Sequence, residues 1–92
     1  MEKKFLEAWS KARETAVGLG VRLRPMELTM ENAYRALKGN RESDGFWALK
    51  DLSRLDLSLE ALVVKKAFGG LFSDEQANTA LTRLLDVGYF GR

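Results

Sequence analysis

The stretch Ser58–Phe90, SLEALVVKKAFGGLFSDEQANTALTRLLDVGYF, decides the fold. It divides into an apolar run, a Gly-Gly turn at 69–70 and an amphipathic run that opens on SDEQ. Ser73 is placed to accept from the free N–H groups of a helical first turn. Gln76, three residues on, can reach back to the Ser73 backbone, and that spacing marks a helix start. Gly88 supplies the left-handed residue on which helices commonly end. Between them Ala77, Leu81, Leu84 and Leu85 recur at helical spacing, which predicts an inward apolar face, with Asn78, Thr79, Thr82, Arg83 and Asp86 on the outer side. The expectation is two helices joined by a tight turn, the second showing amides and hydroxyls to solvent.

The first of the two, Leu59–Phe68, has seven apolar residues in ten and charge only at Glu60, Lys65 and Lys66. A short helix that is apolar on most sides belongs in the middle of a bundle. Toward the N-terminus the pattern stays helical. A first helix is predicted from about Glu2 to Val17, with a stripe of Phe5, Leu6, Trp9, Ala12, Ala16 and Val17 and a stop at Gly18–Gly20. Val21–Arg24 reads as a connector. Pro25 suits the first turn of a second helix carrying Met26, Met30, Ala33, Tyr34 and Leu37 and ending at Gly39, and Thr29 is an alternative start. After a polar loop at 40–45, Ser43 or Asp44 can cap a third helix containing Phe46, Trp47, Leu49 and Leu52. Trp9, Tyr34, Phe46 and Trp47 fall at helical spacing and read as core. The fold expected is therefore an all-α, five-helix single domain containing a helix-turn-helix: an N-terminal helical pair at 1–42 and a tri-helical core at 43–92.

From Ser73 onward, the capping serine, the run Ala80, Leu81, Arg83 and Leu84, and Gly88 followed by two large aromatic residues resemble the recognition helix of winged-helix regulators and its exit. Counting the preceding helix, the resemblance covers about a third of the chain. It implies a short strand before the second helix of the motif, for which Arg54–Leu57 is the candidate, since Leu55, Leu57 and Leu59 alternate as a strand requires. The hairpin wing that follows the recognition helix in that family has no counterpart before Arg92, and this helix opens on the acidic pair Asp74 and Glu75 rather than on basic residues.

Composition narrows the chemistry. The 92 residues, 46% of them hydrophobic, suffice for one modest core. No stretch approaches the roughly 20 apolar residues that span a bilayer, and the N-terminus lacks the pattern of a signal peptide, so the expectation is a cytoplasmic protein with no membrane association. With no cysteine and no histidine, disulfides, thiolate sites, the commonest metal ligand and the usual general base are all missing. Neither glycine pair is followed by the Lys-Ser/Thr of a phosphate loop, and no Asp-rich calcium loop occurs. The reading is a non-enzymatic protein without cofactor or metal.

Charge is uneven. Residues 1–42 carry nine Lys and Arg against six Glu, and residues 43–92 carry six against seven Asp and Glu. A helix-turn-helix reading double-stranded DNA through the helix at 74–87 would hydrogen-bond base edges with Gln76, Asn78, Thr79 and Thr82. It would touch phosphates with Arg83, Lys65, Lys66, Arg54 and neighbouring Lys50, with Arg22 and Arg24 as a basic arm. It would function as a small transcriptional regulator, working as a homodimer to reach useful affinity. Lys65 and Lys66 equally suit a helix C-terminus, and Asp74 and Glu75 a helix N-terminus, through the helix dipole alone. The other reading is a helical adaptor that binds a protein partner through the first helix or the Tyr89–Phe90 end.

Overall fold

Helix α1 (Glu2–Gly18) buries Phe5, Trp9, Ala12 and Ala16, one stripe at helical spacing. The computed structural model describes residues 1–90 of the chain. The helix ends in a Schellman turn: Gly20 takes φ +95°, Val21 N–H donates to Ala16 O at 3.0 Å and Gly20 N–H to Val17 O at 2.9 Å. Residues 21–29 then run without regular structure. Arg24 N–H donates to Asp44 Oδ2 and Arg24 O accepts from Arg13, both at 2.6 Å, so this segment is tied at both backbone groups of one residue.

Helix α2 is Met30–Lys38, capped by Thr29, whose Oγ1 accepts from Asn32 N–H at 3.1 Å. The start at Pro25 is not used. A helix beginning there would need Arg24 as its cap, and arginine lacks the short oxygen-bearing side chain that Thr29 provides. Helix α3 (Phe46–Asp51) begins behind Gly45 rather than on a Ser43 or Asp44 cap. Both predicted caps are engaged elsewhere, Ser43 with Glu60 and Asp44 with Arg24. Gly45 sits at φ +81°, a left-handed conformation that favours glycine, and a Cβ there would lie 2.5 Å from Leu23 Cδ2, whose side chain would have to shift to admit it. Phe46 and Leu49 take the inward face of α3, which leaves Trp47 53% exposed, contrary to its expected place in the core. A six-residue helix packing on one side cannot bury two consecutive aromatics.

The strand expected at 54–57 is a 3₁₀ turn, Leu55–Leu57, with Leu57 N–H to Arg54 O and Ser58 N–H to Leu55 O, each at 3.0 Å. Alternating leucines alone do not make a strand, which also needs a neighbour to take its backbone groups, and the described residues contain no strand to serve as one. Helix α4 (Leu59–Val63) is capped by Ser58 and buried at all five positions, as its composition implies. It is half the predicted length. Burying Lys65 or Lys66 without a partner would cost several kcal/mol each. The chain instead leaves the helix, exposes both lysines, and returns through a 3₁₀ turn (Lys66–Phe68) that puts the Phe68 ring back inside, edge-on to Phe5 at 5.2 Å.

Helix α5 (Asp74–Asp86) carries the full predicted capping box, Ser73 Oγ accepting from Gln76 N–H at 3.1 Å and Gln76 Oε1 from Ser73 N–H at 2.9 Å. Gly88 at φ +75° closes it in a second Schellman turn, with Tyr89 N–H on Leu84 O at 3.0 Å. The five helices form one all-helical unit of radius of gyration 12.1 Å, about what a compact chain of this length adopts. Its core has two clusters. One joins Phe5, Trp9, Ala33, Leu37, Leu62 and Ala80, the other Ala16, Val21, Phe46, Leu49, Leu55 and Leu84. Each draws on both the 1–42 and the 43–92 portions of the chain, so no boundary at 42/43 runs through the core.

Candidate functional site

The orientation of α5 is set from inside. Glu60, on α4, is completely buried, and Arg83, on α5, is only 7% exposed. Arg83 Nη1 donates to Glu60 Oε2 at 3.0 Å. The carboxylate also accepts from Ser43 N–H at 2.8 Å and from Ser43 Oγ–H at 2.5 Å. The guanidinium reaches further: Nη1 donates to Ala36 O at 3.2 Å and Nη2 to Gly39 O at 2.9 Å. Gly39 leaves α2 in an extended conformation, φ −73° and ψ 171°, so no left-handed turn satisfies the last carbonyls of that helix. Arg83 supplies the donors instead, from another element, and its positive charge stands where the α2 dipole is negative. No buried side-chain nitrogen or oxygen among the described residues lacks a partner.

This network overturns two expectations about α5. Arg83 does not stand on the outer side of the helix; it is the interior cation that pairs Glu60. The inward face is also rotated from the one the leucine spacing predicts, centring on Ala80, Arg83 and Leu84 while Leu81 stands 37% and Leu85 55% exposed. Magnitudes explain the choice. Burying a leucine is worth about 1.5–3 kcal/mol, so half-exposing two forgoes about 2 kcal/mol. Leaving Glu60 buried without its cation would cost about 3–5 kcal/mol. The signal was present in the sequence: a lone acid within an all-round apolar helix requires a cation, and α5 contains one, Arg83.

Other predicted site residues are distributed as follows. Asn78 and Thr82 face solvent. Together with Glu75, Thr79, Arg83, Lys38 and Asn40 they line an open cleft of about 690 Å³ between the end of α2 and α5. Gln76 is engaged in the capping box, and Thr79 Oγ1 donates to Glu75 O at 3.0 Å, so neither side chain is wholly free. Lys65 and Lys66 are exposed on the connection between α4 and α5 and do not line that cleft. Arg54 forms a two-pronged pair with Asp56, at 3.0 and 3.1 Å. The Arg54 hydrogen bonds hold the Asp56 carboxyl below its ordinary range. Arg22 and Arg24 are exposed on the 21–29 segment, where Arg24 borders Trp47 rather than α5. Lys50 is exposed on α3.

The exposed side of α5 thus presents Asp74, Glu75, Asn78, Leu81, Thr82, Leu85 and Asp86, three carboxylates and two leucines with no Lys or Arg. Past its end Tyr89 and Phe90 stand partly exposed, their rings edge-on at 5.0 Å. Burial, and secondarily the charge of Asp56, push the Tyr89 hydroxyl above its ordinary pKa. No group of three or more acidic side chains among the described residues is arranged to hold a metal ion, and no helix among them is long and apolar enough to cross a membrane. Comparison with protein-family models, with curated proteins and with solved structures found no match to this chain.

Proposed function

We propose that the chain is a non-enzymatic helical adaptor that binds a protein partner along the exposed edge of α5. One observation carries this reading: with Arg83 turned inward, the outer side of α5 offers leucines and carboxylates and no cation. Duplex DNA would meet acid against phosphate there, whereas specific DNA readers neutralise several phosphates around the recognition helix. In this reading the α4–α5 pair is a helix-turn-helix-like scaffold, similar to the winged-helix core in outline and turned to protein recognition. The terminal Tyr89 and Phe90 extend the apolar surface.

A specific observation keeps a second reading, the DNA-binding regulator. Asn78 and Thr82 point outward beside Lys38 and Asn40 in the cleft at the end of α2, an amide and a hydroxyl of the kind that contact base edges. Fluorescence anisotropy with a random-sequence duplex separates the two. The adaptor reading expects no binding even at about 50 mM salt, whereas DNA binding would appear there and weaken steeply by about 200 mM. In parallel, Leu81→Ser with Leu85→Ser should remove a co-purifying protein while leaving the melting transition in place. Salt-sensitive duplex binding that is unaffected by those leucine changes would replace the adaptor reading with the second.

A further inference from the structure

The exposed side of α5 also specifies the kind of partner. Asn78, Leu81 and Leu85 fall at i, i+3 and i+7, the spacing of a helix–helix seam, and all three are exposed. A polar Asn at one such position and Leu at the others is a pattern that fixes register between paired helices. Glu75 flanks the N-terminal end of the seam and Asp86 its C-terminal end, and neither forms an ion pair with another of the described residues. At the 1.5 Å rise of a helix the two carboxylates are separated by roughly 17 Å along the axis. A second copy of the chain laid antiparallel on the same seam would bring Asp86 of each copy toward Asp74 and Glu75 of the other, like charge on like charge. We infer that the α5 seam takes an amphipathic helix of a different protein, with leucine-type anchors over two turns and a Lys or Arg near each end.

This rests on the adaptor reading and adds the charge and form of the partner. The carboxylates act as selectors at the rim, where opposite charge sets association rate and partner choice, while Leu81 and Leu85 provide the buried contact.

The test uses the full chain and a designed helical peptide of roughly 15 residues with leucines at matching spacing and a lysine at each end, compared with the same peptide carrying glutamates. The lysine peptide should bind at least about tenfold more tightly than the glutamate peptide at low salt. Leu85→Ser should weaken it by a similar factor or more. The charge-reversed protein, Glu75→Lys with Asp86→Lys, should exchange its preference and favour the glutamate peptide, which general stickiness cannot produce. Equal binding of both peptides, lost with Leu85→Ser, would overturn the inferred charge and leave the adaptor reading standing. Binding indifferent to Leu85→Ser, or no binding of either peptide, would overturn the seam itself. Circular dichroism melts of each variant establish that the fold is intact.

Discussion

Two ion pairs in this molecule have the same closest distance, 3.0 Å, and opposite importance. Arg54 and Asp56 meet in solvent, each side chain more than 40% exposed, whereas Arg83 and Glu60 meet in the interior. The surface pair is the better formed of the two by hydrogen-bond count between partners, since it is two-pronged. It is also dispensable, because either ion alone would be solvated by water. Each ion of the interior pair holds the other in a place where water cannot, and together they fix α5 against α4, the end of α2 and the loop at Ser43. Geometry alone does not rank electrostatic contacts; what the ion loses when its partner is removed does.

The sharpest way to break the comparison is to remove one interior partner. Glu60→Ala or Arg83→Ala is expected to cost about 3–5 kcal/mol of unfolding free energy in urea titrations, because an uncompensated charge stays buried. Replacing both, Glu60→Leu with Arg83→Met, should lose less than either single change. It should not be fully restorative, since Ala36 O and Gly39 O also lose their donors. Ser43→Ala comes next. It removes one hydroxyl bond to the Glu60 carboxylate while the Ser43 N–H bond remains, and should cost about 1–2 kcal/mol in the same assay.

The smallest effect belongs to the surface pair. Arg54→Ala should leave the melting temperature almost unchanged at neutral pH. The Asp56 carboxyl is held below its unfolded pKa, so whatever stability the pair adds is present above that value and lost as pH falls through the folded one. Any difference between wild type and Arg54→Ala should therefore shrink below about pH 4, the ordinary range for Asp. A difference that grew on acidification would contradict the assignment.

Much of this architecture was legible in the residues because the signals were local. The capping box at Ser73, the left-handed exits at Gly20 and Gly88 and the apolar character of α4 are each written within a few positions. The misreadings share a different cause, competition between distant groups. Ser43 and Asp44 are good caps that the structure spends on Glu60 and Arg24. Leu55 and Leu57 alternate like a strand, but the described residues offer no neighbouring strand. Leu81 and Leu85 fit an inward face by periodicity, but the need of Glu60 for Arg83 turns the helix away from them. The candidate docking edge was therefore invisible to periodicity, although the isolated acid in α4 and the isolated base in α5 together point to it.

The rotation of α5 underlies both the stability of the fold and the proposed docking edge, and the absence of cysteine from the chain permits a direct measurement of it. Single substitutions Leu81→Cys, Leu84→Cys and Leu85→Cys can be compared by the rate at which each thiol reacts with a water-soluble maleimide under native conditions. Positions 81 and 85 should label at close to the rate seen in denaturant, with position 84 strongly protected. Protection at 81 and 85 equal to that at 84 would mean that the leucine face is turned inward after all, and that Arg83 does not hold α5 in the orientation described.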